Sequence, residues 1–354
     1  MRYSRAVGII GLIGQGVLLG LGCGDAVAAA APAAQDLAVQ QHWKLGGVGG
    51  WDYLTLDAAG QRLFLSRADH VDVVNTDSGK IVGTIANTQG VHGIALAEDL
   101  NRGYTSNGKA DSITVFDLAT LKVIKEAPVS GHNPDAILYE PTGKHVFTFN
   151  GKSKDVTVLD ATTLAVVATL PVPDKPEFAA DDGAGHIFVN IESEPGQMVV
   201  IDTHSLTVTA TWPLPGCAAP SGLALDRVHH RLFSVCDDKV MAVTDSATGK
   251  QVAKLKVGDG PDAAAYDAQR GLVFSSNSDG TLSVIKQDSA DKYTALKAVE
   301  TQKGARTMAL DPAHGKVYLV SAEFGPPPPA TAAAPHPRPT PVPDTFTVLV
   351  VSKR

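Results

Sequence analysis

The sequence predicts an all-β chain folded as a seven-bladed β-propeller of four-stranded blades. Three observations lead there: a repeat, the strand order inside it, and the way the two ends complete each other. An aromatic residue recurs every 40 to 45 positions, at Phe64, Tyr104, Phe147, Phe188, Phe233, Phe274 and Tyr318. A second marker follows 11 to 14 residues later in the first six units, at Asn75, Asp117, Asp160, Asp202, Asp245 and Lys286. Units of this length, made of short strands, have the form of propeller blades.

The second unit shows the strand order. Gly93 to Ala97 is a short apolar strand and Glu98 to Asn101 a polar turn; Gly103 to Ser106, Ile113 to Asp117 and Lys122 to Lys125 follow as second, third and fourth strands. Turn residues separate the first two strands elsewhere, as at Asp57 to Gly60, Glu140 to Gly143, Asp181 to Gly185 and Asp311 to Gly315. Val, Ile, Thr and aromatics fill the strands, as a pleated, half-buried surface favours. No segment after the leader keeps a helical period. The third strands lack the Trp-Asp ending of WD40 blades, and kelch units are longer.

The ends supply the third observation. The seventh unit offers its third strand at Phe346 to Val351, and its fourth comes from the other end of the sequence. His42 to Leu45 followed by Gly46 to Gly50 copies a fourth strand and its exit loop, as in Ala253 to Val257 followed by Gly258 to Pro261. An N-terminal strand closing the last blade removes a free sheet edge. Residues 42–354 are therefore expected to form one propeller, although 354 residues alone would suggest two domains. The Pro- and Ala-dense stretch 322–345 falls between the second and third strands of the seventh blade and reads as extended or mobile, either a tolerated insertion or a binding arm.

Residues 1–28 read as a secretory leader: Arg2 and Arg5, an apolar run from Val7 to Leu21 too short for a membrane span, and the small-residue site Ala26, Val27, Ala28. Cys23 offers the alternative of lipid anchoring. Residues 29–41 read as a linker, and the expected location is periplasmic or secreted. Removing Arg2, Arg5 and Asp25 leaves 28 basic and 36 acidic residues, a net charge of −8. This balance disfavours nonspecific binding to nucleic acid or anionic lipid. Cys217 and Cys236 remain as an even pair, read as a disulfide in an exported protein, the alternative being two buried thiols. No CxxC or CxxCH is present, so the sequence carries no haem or zinc signature.

The second strands contain Tyr104-Thr105-Ser106-Asn107, Phe147-Thr148-Phe149-Asn150 and Phe274-Ser275-Ser276-Asn277. They resemble the Tyr-Val-Thr-Asn tetrapeptide of the YVTN repeat β-propeller family, in particular its YncE-like periplasmic members. The resemblance covers nearly all of the chain after the leader and departs at Phe64 to Arg67, Phe188 to Ile191 and Phe233 to Cys236, where the terminal Asn is absent. It implies a seven-bladed exported propeller and little chemistry, because this fold serves varied partners. Single-stranded DNA binding enters through the resemblance alone, with Trp51 as the clear stacking candidate.

In a propeller the loops entering the first strands, and those between second and third strands, open on one channel mouth. Asp52, His92, Asp135, Glu177, Ser221, Asp262 and Arg306 occupy matching positions at the start of the first strands. They form the candidate ring, with His132, Asn107, Asn150 and Asn277 nearby, and Glu323 a further neighbour. Crowded carboxylates repel unless a cation, Arg306 or protonation compensates, and Arg306 offers a planar fork to an anion. The alternative is that these side chains bind water and strand ends and close the channel. Among metals an oxygen-ligated Ca²⁺ is the easiest to accommodate. No G-x-S-x-G elbow surrounds Ser221, and no catalytic residue is assigned. Cys217 and Cys236 fall at the same mouth, whereas His229 and His230 fall at the opposite one.

The expected function is a ligand-binding or protein-interaction scaffold that takes a small polar ligand or a protein partner at the ring, with a monomeric chain. A metal-assisted hydrolase of lactonase type is the alternative by fold analogy.

Overall fold

The structure is a computed structural model and describes residues 36–329, 337 and 339–354. The expected leader, Cys23 and linker residues 29–35 lie outside the described residues. Residues 36–354 form one compact unit of seven antiparallel sheets.

The innermost strands of blades one to seven are Leu54–Asp57, Val91–Ala97, Pro134–Glu140, Lys175–Asp181, Pro220–Asp226, Pro261–Asp267 and Met308–Asp311. Each touches the innermost strand of the next blade, and the seventh touches the first, so they close a ring around a channel. Second and third strands follow by antiparallel pairing in every blade, as in Arg102–Asn107 with Ser112–Asp117. Fourth strands such as Val123–Pro128 lie outermost, and in blade six this place is shared by Lys292–Ala295 and Val299–Glu300. Among the described residues Glu98–Leu100 forms a single 3₁₀ turn, and no helix is long and apolar enough to cross a membrane.

The last blade is closed as the sequence predicts. Its outermost strand is Leu37–Lys44, which pairs antiparallel with Thr347–Lys353. It begins at Leu37, five residues before His42, because Leu37 and Val39 pack against the apolar cluster between blades six and seven. The Pro-rich insertion is ordered at its base: Phe324 bridges Pro341, and the Gly325 N–H donates to the Thr340 carbonyl at 3.0 Å.

Both sequence markers have physical roles. All seven aromatics are buried, none more than 3 % exposed, and fill the space between sheets. The Asp at the end of a third strand caps the following turn: Asp117 Oδ1 accepts from the Thr120 N–H and hydroxyl, and Asp160, Asp202 and Asp245 repeat the pattern. Asn75 does the same with Ser78.

Candidate functional site

Ring residues are placed by an irregularity repeated from blade to blade. Where each innermost strand of blades two to five begins, two of its residues face one on the second strand: His92 and Gly93, Asp135 and Ala136, Glu177 and Phe178, Ser221 and Gly222. In blade six Asp262 is the extra residue. Such β-bulges re-aim side chains out of strict alternation. Side chains of neighbouring blades then fix the bulges. Ser106 donates to the Asp135 carbonyl and accepts from the Gly93 N–H, and Ser276 donates to the Arg306 carbonyl. Asn190 Nδ2 donates to the carbonyls of Ser221 (2.9 Å) and Gly222 (3.1 Å). Gly222 is glycine because a Cβ there would overlap the backbone of Ala263 and Ala264 in the next blade.

Three charged clusters result. His92 Nδ1 lies 2.6 Å from Asp52 Oδ2 and 3.7 Å from Asp135 Oδ1. Lys175 Nζ contacts both Glu177 and Glu192. Arg306 Nη1 donates to Asp262 Oδ2 at 2.6 Å. Ser221 points its hydroxyl at the Asp262 carbonyl, 3.2 Å away.

The electrostatics couple these clusters. Burial, then repulsion from Asp52, pushes Asp135 up to about 6. Burial, then Asp135, pushes Glu177 up to about 9 despite Lys175. Burial raises Asp262 to about 6 against the pull of Arg306. Burial opposes a charge on His92, but its hydrogen bond to Asp52 and the field of Asp135 outweigh this and raise its pKa. Asp262 raises Arg306. Tyr53, which the sequence reading passed over, stands among four carboxylates, and burial followed by their charge raises its phenol well above the ordinary value.

Lys175 and Glu192 were also outside the predicted ring. Lys175 is the first residue of its strand, and Glu192 ends the partner strand directly opposite it. Reading that strand to Glu192, and searching for a charge opposite Lys175, would have found the pair.

The secondary candidates go elsewhere. Asn107, Asn150 and Asn277 are fully buried, and their amides donate within their own blades, Asn107 to Ser112 and Thr114, Asn150 to Asp155 and Thr157, Asn277 to Thr281 and Ser283. They bind second strand to third at the mouth. His132 is exposed and meets Asp111 at 2.8 Å, outside the three clusters. Trp51 packs on Phe346 and Phe324, with ring centroids 5.2 and 6.0 Å apart. Cys217 and Cys236 form a disulfide. Inside the channel, Tyr53, Thr55, Ile94, Ile137, Phe149 and Phe178 line a cavity of about 60 Å³.

Comparison with known proteins agrees with this architecture. The model of the family described as Lactonase, 7-bladed beta-propeller matches residues 53–164, about the first three blades. A search of curated proteins finds no match. Among solved structures, hydrazine synthase of Kuenenia stuttgartiensis superposes with a TM-score of 0.69 at 18 % identity, covering 77 % of this chain and 92 % of that one. A chain of a mitotic checkpoint complex superposes with a TM-score of 0.68 at 14 % identity, covering 87 % and 96 %. At such identities the likeness is one of fold. The chain is a β-propeller of seven four-stranded blades, its last blade closed by the N-terminal strand, and is similar over residues 53–164 to the seven-bladed lactonase family.

Proposed function

We propose that the ring is a binding site for a small cationic ligand and that the propeller is its scaffold. One observation carries this: Asp52, Asp135, Glu177, Glu192 and Asp262 converge on His92, Lys175 and Arg306, so carboxyl groups outnumber cationic ones. Burial, reinforced by repulsion from the neighbouring carboxylates, raises the pKa of Asp135, Glu177 and Asp262 above the ordinary carboxyl range. A ligand cation relieves that repulsion, whereas an anion adds to it. The disulfide favours an extracytoplasmic setting for this site.

The test is calorimetry in chelator with small primary amines, guanidines and matched carboxylates. Amines or guanidines are expected to bind, carboxylates not, and Asp262→Asn to weaken binding. Selective carboxylate binding, or no binding of any cation, would refute the proposal.

The lactonase family match favours a second reading, ester or lactone hydrolysis. His92, oriented by Asp52, would accept a proton from water as the water oxygen bonds to the carbonyl carbon, and would return that proton to the leaving oxygen as the acyl C–O bond breaks. Lactone turnover lost in both Asp135→Ala and His92→Gln would promote this reading over simple binding.

A further inference from the structure

We propose that Asp52, His92 and Asp135 form a first-row transition-metal site at the channel mouth. This deepens the reading of the mouth as a cation site and rests on it.

The three residues come from the entrances of blades one, two and three, and one ligand atom from each lies within 4.8 Å of the others. Proximity of acidic groups alone would be weak ground, but Asp135 adds an independent observation. The residue is only 8 % exposed and its side chain 12 %, and among the described residues the ionic contact of its carboxylate is the long one to His92. Its nearest cationic neighbour is His92 Nδ1 at 3.7 Å, and that nitrogen is already engaged by Asp52 at 2.6 Å. A carboxylate with so little access to water gains from a cation placed beside it. A metal between the three would use the spare oxygen of Asp135, and Nδ1 would surrender the hydrogen it now shares with Asp52.

The donor set selects the class of metal. Ca²⁺ and Mg²⁺ prefer all-oxygen surroundings, whereas an imidazole nitrogen beside two carboxylates suits Zn²⁺, Co²⁺, Mn²⁺ or Fe²⁺. The backbone holds these ligands ready. The Asp52 N–H donates to Ser66 Oγ at 2.9 Å, and Ser106 ties the bulges of His92 and Asp135 together. The His92 and Asp52 side chains are 30 % and 21 % exposed, so solvent reaches the site. Three protein ligands leave a further position for water or a ligand atom.

The full chain, stripped with chelator and dialysed, is titrated with Co²⁺ and followed by visible absorption, with Zn²⁺ and Ca²⁺ as competitors. One Co²⁺ per chain is expected, with ligand-field bands that Zn²⁺ abolishes and excess Ca²⁺ leaves intact. His92→Gln and Asp135→Asn should each weaken binding about 10-fold or more, with unchanged circular dichroism, while Asp262→Asn should bind Co²⁺ nearly as the parent does. Absence of a Co²⁺ spectrum, equal displacement by Ca²⁺, or undiminished affinity in both ligand variants would overturn the metal site. Amine binding in chelator without Co²⁺ binding would sink the metal site and leave the cation site standing; loss of both would remove both.

Discussion

The guanidinium carbon of Arg67 lies 3.7 Å from the ring centroid of Phe346, joining the second strand of blade one to the residue just before the third strand of blade seven. Arg67 stands where three other blades carry a buried Asn. It is 2 % exposed, reaches the carbonyls of Gly46 and Val48 at 3.2–3.4 Å, and pairs with Asp72 at 3.3 Å. The main chain of Leu45 and Gly46 donates to the Phe346 carbonyl beside it. One side chain thus latches the exit loop of the closing strand to the first blade. Arg67→Met should cost about 3 kcal/mol, since it leaves buried Asp72 with only the more distant His70, 3.7 Å away, as a cationic partner. A urea midpoint unchanged from the parent would show that the latch contributes nothing.

Stability should fall as pH rises across the range in which the ring carboxyls ionise. A carboxyl whose folded pKa exceeds its unfolded value of about 4 holds its proton more tightly when folded. The folded state then loses relative stability between the two values. For Asp135 and Asp262 the loss ends near pH 6, and for Glu177 it continues to about 9. His92, also raised, contributes stability present at low pH and lost as pH passes its folded pKa. In metal-free buffer, urea midpoints should decline from pH 5 to 9, and Glu177→Gln should flatten the upper part of that decline. An equally steep fall in the variant would contradict a proton on Glu177.

Gly103 and Phe116 face each other across the second and third strands of blade two, at positions where blade three pairs Val146 with Leu159. Small and large have been exchanged so that the pair fills its layer, and a Cβ on Gly103 would overlap the Phe116 ring. Gly103→Val should destabilise by about 1–3 kcal/mol, and adding Phe116→Leu should restore much of the loss. A double-mutant cycle by denaturant titration reads the coupling, and additive losses would show that the two positions do not share one volume.

The Cys217–Cys236 bond spans 19 residues and ties the loop entering blade five to the end of its second strand. Thiol titration of the unfolded, unreduced protein should find neither of these two cysteines free. Reduction should remove about 3 kcal/mol of stability in the loop-entropy treatment. Two reactive thiols at these positions, or an unchanged denaturation midpoint after reduction, would contradict this.

Much of the architecture was legible because burial repeats. Phe64, Tyr104 and their counterparts are the same packing solution used seven times, and the Asp or Asn ending the third strand of the first five blades is the same turn cap. The equivalence of the candidate positions was legible from alignment of the units, since Asp52, His92, Asp135, Glu177, Ser221, Asp262 and Arg306 stand at the entrances of the innermost strands. Their pairing was not, because the bulges at His92, Asp135 and Glu177 break the two-residue alternation from which side-chain direction is read. Lys175 and Tyr53 lie one or two positions from a ring residue, and only the backbone path shows that both come near Glu177. The Asn of the tetrapeptide looked like a mouth residue by position. Its amide is consumed by hydroxyls and a carboxylate of the adjacent strand, a partnership that the tetrapeptide alone does not reveal.

The closing strand Leu37–Lys44 also sets an order of events. Synthesis delivers it before the other described strands and its partner Thr347–Lys353 after them, so it must remain unpaired while nearly the whole described chain is made. Contacts so distant in sequence form slowly, since loop closure precedes any reward from pairing. A waiting apolar strand would recruit other chains. Gln40, Gln41, His42 and Lys44 give this one a polar character, and its exposed residues stay polar in the finished blade. The sequence of the strand therefore answers to two demands, protection of a nascent edge early and completion of the seventh sheet at the end.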